Sequence, residues 1–182
     1  MNQSSRPVAQ VVTPESVVEG AGVHLRRSIG TRKLDHLDPF LLLDHFESVQ
    51  PAEYMAGFPY HPHRGIETVT IVRKGEVRHR DSLQHRGTIG AGDIQWMTSG
   101  SGIMHEEMPQ VRPEGIAGLQ LWLNLPAREK MTPPSARPFD MWLQKQLHAM
   151  YDEIASEPLP DDLLDLIERD ATKGKPSDTA KK

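Results

Sequence analysis

Between about Val23 and Leu125 the chain repeats short apolar or alternating runs. Glycines punctuate them at Gly30, Gly57, Gly65, Gly75, Gly87, Gly90, Gly92, Gly100, Gly102, Gly115 and Gly118. Turn residues this frequent between short runs predict the strands of an all-β sandwich or barrel. Period two is plainest in Leu119-Gln120-Leu121-Trp122-Leu123-Asn124-Leu125, where the four leucines share one face and Gln120 and Asn124 the other. In Glu67 to Ile71, Val69 and Ile71 alternate with Thr68 and Thr70, which marks Val69 and Ile71 as core residues.

The period then changes. Pro126, Pro133, Pro134 and Pro138 make a stiff connector. Beyond it Phe139, Trp142, Leu143, Leu147, Met150, Tyr151 and Ile154 recur at three- and four-residue spacing, which predicts an amphipathic helix of about four turns. Glu157-Pro158-Leu159-Pro160 ends it, because proline supplies no donor and disfavours helix in the residue before it. A second short helix opening at Pro160 or Asp161 carries Leu163, Leu164, Leu166 and Ile167. The expected organisation is a flexible N-terminal arm over 1–22 with a short strand at Val8–Val12, a barrel over 23–135, a helical hairpin over 136–170 and a disordered tail over 171–182.

Composition narrows the chemistry. Of the 182 residues 37% are hydrophobic, enough for one real core. A net charge of -4 gives no field that would draw the chain to nucleic acid or an anionic membrane. With no cysteine, disulfides and thiolate sites are excluded. A bound metal would then be held by imidazole, carboxylate or water, which suits iron, manganese, nickel, copper or zinc. Met1 to Gln10 holds no apolar stretch of the signal-peptide kind, and no run approaches the roughly 20 apolar residues of a membrane span. The expected location is the cytoplasm.

His61-Pro62-His63 places two imidazoles at i and i+2. In an extended segment both point to one face, and Pro62 favours extension. The parity runs on to Val69 and Ile71, so the histidines are expected to face inward. His105 and Glu107 form a second i, i+2 pair. Two strands presenting these pairs across one interior would supply three neutral nitrogens and a carboxylate, leaving six-coordinate Fe(II) about two open positions. His24, His36, His45, His79, His85 and His148 lack a matched partner and read as structural, while Glu106 alternates to the opposite, solvated face. A second ligand set stays open. His61, His63 and Glu67 with Gly75 resemble the first cupin motif, and Gly90-Ala91-Gly92-Asp93 with His105 resembles the second; under that pattern the carboxylate ligand is Glu67.

Asp38-Pro39-Phe40-Leu41-Leu42-Leu43-Asp44-His45-Phe46, His61-Pro62-His63-Arg64-Gly65-Ile66-Glu67-Thr68-Val69 and Gly92-Asp93-Ile94-Gln95-Trp96-Met97-Thr98 resemble the N-terminal domain of pirins. So do Gly102-Ile103-Met104-His105-Glu106-Glu107-Met108-Pro109 and Gly118 to Leu125. The resemblance implies a mainly β fold, here a single cupin (double-stranded β-helix) barrel with a short C-terminal helical appendage. It also implies one non-haem iron, Fe(II), on His61, His63, His105 and Glu107, with Glu67 structural and Glu107 able to accept a proton from a flavonol hydroxyl. Two functions follow by the same resemblance: opening of quercetin-like flavonols, small aromatic substrates, by dioxygen, or iron-dependent transcriptional regulation. The departure is at the C-terminal side, where pirins continue into a second barrel. Gln146 to Ile154, with Glu157-Pro158-Leu159-Pro160 and Leu163-Leu164-Asp165-Leu166-Ile167, resembles instead the NepR-type anti-sigma factors, which implies a sigma factor or response regulator as partner. Unpaired strand edges of a lone barrel further predict a homo-oligomer.

Overall fold

The computed structural model of the chain describes residues 8–138. Among the described residues of the compact unit Val12–Met141 there are eleven strands, all of whose pairings are antiparallel. Seven form one sheet in the order β1 (Glu15–Glu19), β2 (Val23–Ile29), β3 (Phe40–Ser48), β10 (Ile116–Asn124), β5 (Ile66–Lys74), β8 (Ile94–Thr98) and β11 (Ser135–Pro138). Four form a second, in the order β4 (Phe58–His63), β9 (Ile103–Pro109), β6 (Glu76–Asp81) and β7 (Arg86–Gly90). The inner faces meet, and Val23, Leu25, Phe46, Val72, Val77 and Ile116 pack between them.

Strand register decides which residues face that interior. Inside the seven-stranded sheet Arg27 stands opposite Asp44, Asp44 opposite Gln120, Gln120 opposite Thr70, and Thr70 opposite Gln95. This polar rung is flanked by an apolar rung of Leu42 and Trp122 on one side and by Phe46, Gly118 and Val72 on the other. Gly118 is required there: a Cβ would sit 2.3 Å from the Ile71 carbonyl oxygen and 2.4 Å from Phe46 Cζ, so only glycine lets that ring lie against the strand.

Several expectations change. The alternation in Leu119 to Leu125 is real, but Gln120 and Trp122 face the interior while Leu119, Leu121 and Leu123 lie half-buried on the outer face. Val69 and Ile71 share that outer face; Val69 is buried there and Ile71 half-buried. The parity argued from His61 to Ile71 therefore does not hold, because the Arg64-Gly65 turn carries the chain from one sheet to the other. At the N-terminal side, Glu15–Glu19 is strand β1 rather than arm, and no strand occupies Val8–Val12. Ser135–Pro138, expected as connector across the 135/136 boundary, is strand β11, and the helical hairpin and tail expected beyond it lie outside the described residues.

Candidate metal centre

β4 is an edge strand, which is why Pro62 is tolerated between the two histidines: its missing N–H falls where it need not serve a central ladder. Its only described partner, β9, sets His61 directly opposite His105. The three rings of His61, His63 and His105 cluster with centroids 4.5–5.0 Å apart. One nitrogen from each falls within 4.8 Å of the others. The alternation read from His61-Pro62-His63 thus brings three imidazoles into one group.

The protonation pattern suits a metal. His61 Nδ1 lies 2.9 Å from the Pro59 carbonyl oxygen, so Nδ1–H donates and the Nε2 lone pair is left free. That Nε2 is 3.0 Å from His63 Nε2. Two bonds of about 2.1 Å meeting at a right angle at a metal span about 3.0 Å. A hydrogen bond between the two rings would fit the same distance. His105 Nε2 is buried with no hydrogen-bond partner among the described residues, a costly state unless a cation completes it. His63 and His105 are both pushed down to about 3, chiefly by burial and then by neighbouring imidazoles. They stay neutral, the ligating form, far into acid.

A pH dependence follows. Between pH 6.5 and about 3 the unfolded chain takes up protons at these histidines that the fold refuses, so their contribution falls as pH drops through that window. Denaturant midpoints of metal-free protein are expected to decline over the same range, and less so in a His63→Phe variant.

Glu107 is buried two residues beyond His105 and lines the same cavity as His61 and His63, though its carboxyl lies outside the three-nitrogen group. Thr70 Oγ1 is 2.7 Å from Glu107 Oε1 and 2.6 Å from Gln120 Oε1, and Gln120 Nε2 reaches Glu107 Oε2 at 3.4 Å. A hydroxyl has one hydrogen and cannot donate to both oxygens. Burial pushes the Glu107 carboxyl up, against the Thr70 hydrogen bond and the charges of His61 and His79. A protonated Glu107 donating to Thr70, with Thr70 donating to Gln120 and Gln120 to Glu107, closes the ring. Glu67, the rival carboxylate, shares the outer face with Val69 and accepts from Thr98 Oγ1 at 2.7 Å, away from the cluster.

Several residues around the cluster have partners that the sequence reading does not assign to them. His79 stands opposite Glu107, and Asp81 opposite His105, on β6. Trp122 meets the His63 ring edge-on at 5.0 Å. Glu106, on the other face as expected, pairs with Arg80 at 2.6 Å instead of being merely solvated. Beside the cluster opens a cavity of about 560 Å³, walled by Leu42, Phe46, Phe58 and Trp122. That volume suits a small organic ligand.

Two facing antiparallel sheets with a histidine cluster between them define the chain as a cupin. More narrowly, it belongs to the pirin family, whose model matches residues 22–123. A model of the anti-sigma factor NepR matches residues 142–169. A pirin-like protein of Caulobacter vibrioides is 48% identical over 135 residues, covering 74% of this chain and 49% of that protein. A crystal structure of quercetin 2,3-dioxygenase from Acinetobacter baumannii superposes with a TM-score of 0.63 at 28% identity, over 70% of this chain and 43% of that one. A second structure of that name from the same organism is 39% identical, with a TM-score of 0.59, over 71% and 47%. The chain spans about half the length of the curated relatives it matches.

Proposed function

We propose that this chain is a metal-dependent dioxygenase acting on flavonols of the quercetin type, with Fe(II) held by His61, His63, His105 and Glu107. The observation that carries the reading is the three-histidine cluster, with His63 and His105 buried and His61 half-buried, beside an apolar cavity of ligand size. Manganese, nickel, copper or zinc suit the same donors; iron is preferred because the reaction uses dioxygen. When bound, the metal supplies Lewis-acid and redox chemistry that no side chain here can offer. The residues do the rest. Pro59 orients His61 through its carbonyl, Phe58 and Trp122 hold a ring and exclude water, and Glu107, which gives up its own proton when the metal binds, takes that of the flavonol hydroxyl as a carboxylate.

Anaerobic loading with Fe(II) followed by oxygen uptake on quercetin tests this. Wild-type protein is expected to consume oxygen and a His61→Ala variant to lose at least about 90% of that rate, as for loss of a metal-positioning group. Unchanged uptake in the variant would sink the ligand assignment.

The match over residues 142–169 favours a second role, in which the C-terminal segment binds a sigma factor or response regulator in the cytoplasm. Sigma-factor binding that survives deletion of residues 139–182 would remove that role. Among the described residues no helix is long and apolar enough to cross a membrane.

A further inference from the structure

The cavity has a second polar region, on the inner face of β2 and β3. Arg27 Nε and Nη2 each donate to Asp44 at 2.8 Å, and Nη1 donates to Glu19 at 2.8 Å. All three side chains line the cavity with His61 and His63. The Arg27 and Asp44 side chains are 16% and 5% exposed, Glu19 43%, so the group runs from the rim to the interior.

One cation against two carboxylates leaves a net charge of about -1. An anionic ligand would meet Glu19 at the rim and, deeper in, the Asp44 carboxylate, where water screens poorly. A neutral hydroxyl meets the opposite situation. Two bonds from Arg27 occupy only part of the roughly four acceptor positions of the Asp44 carboxylate. Gln120 is the next residue along the rung, and the Tyr54 hydroxyl at the cavity wall is buried without a partner among the described residues. The apolar rungs of Leu42 with Trp122 and of Phe46 over Gly118 flank this polar line and present walls to a flat ring. We infer that Asp44, fixed by Arg27 and reinforced by Glu19, is the specificity-determining acceptor of the cavity, selecting neutral ring ligands that carry hydroxyls and rejecting those that carry carboxylates.

The inference rests on the reading of the cavity as a site for a small aromatic substrate, but its readout is binding and not turnover. Calorimetric titration of the full chain, anaerobic and with Fe(II) loaded or omitted, uses three probes of one skeleton: quercetin, unsubstituted flavone and a flavone carboxylate. Wild-type protein is expected to bind quercetin about tenfold or more tighter than flavone, the worth of one hydrogen bond to a charged acceptor, and the carboxylate most weakly. In an Arg27→Met/Asp44→Leu double variant, which removes both charges together, the preference for quercetin is expected to shrink to within about threefold, and Asp44→Asn is expected to admit the carboxylate. Glu19→Gln, at the half-exposed rim, is expected to relax the exclusion of the carboxylate even if the interior variants fail to fold.

An unaltered ranking in the folded variants overturns the inference. So does wild-type protein that binds the carboxylate as tightly as quercetin, or that binds none of the three. A chain that ranks the probes as expected yet consumes no oxygen keeps this inference and loses the dioxygenase reading; oxygen uptake with an unaltered ranking does the reverse.

Discussion

His105→Leu is expected to have two opposite effects on one protein. Metal affinity should fall by more than the roughly 10–100-fold that losing a group behind a ligand costs, because a ligand itself is gone. Metal-free protein should become more stable, by about 1–3 kcal/mol, because the variant removes a buried nitrogen that has no hydrogen-bond partner. Leucine has a volume close to that of histidine, so the cavity term stays small. Denaturant titrations with and without added Fe(II) read both effects. A buried histidine serving only the fold would give the reverse signs, with stability lost and the metal response untouched.

Thr70→Val is the second large effect. It keeps the side-chain shape and deletes the hydroxyl that lies between Glu107 and Gln120. Stability should drop by about 1–3 kcal/mol, since two buried polar groups lose a partner. Metal affinity should fall by about 10–100-fold, as when a ligand loses the group that orients it. Combined with Gln120→Leu the losses should be less than additive, because both side chains hold the same carboxyl. Strict additivity in that double-mutant cycle would mean the ring does not act as a unit.

What the sequence displays about this site is local. His61, His63 and the extending Pro62 are within three residues, and His105 with Glu107 within three more, so period two alone groups them by face. The choice between Glu67 and Glu107 is not local: it depends on which sheet each strand joins, and the Arg64-Gly65 turn that separates them leaves no mark in the alternation. The Leu119 to Leu125 run shows its period plainly but not its direction. Leucine on an outer face and glutamine on an inner one reverse the usual sorting, and the reversal makes sense only once Gln120 meets Thr70, 50 residues away. Arg27 and Asp44 are likewise joined by register across 17 residues. His79 looked unmatched because its neighbour Glu107 arrives through the β6–β9 pairing. Strand β1 was hidden for a simpler reason: Glu15–Glu19 is five residues with charged ends at the sheet margin, too short to show a pattern.

The central claim is that His61, His63, His105 and Glu107 together hold one metal ion. Anomalous scattering from crystals of the full chain loaded anaerobically with Fe(II) tests it directly. The account predicts a single strong peak within bonding distance of nitrogens of all three histidines and of one Glu107 carboxylate oxygen, the other still accepting from Thr70. A peak bound through Glu67, or no peak at the histidine cluster, would contradict it.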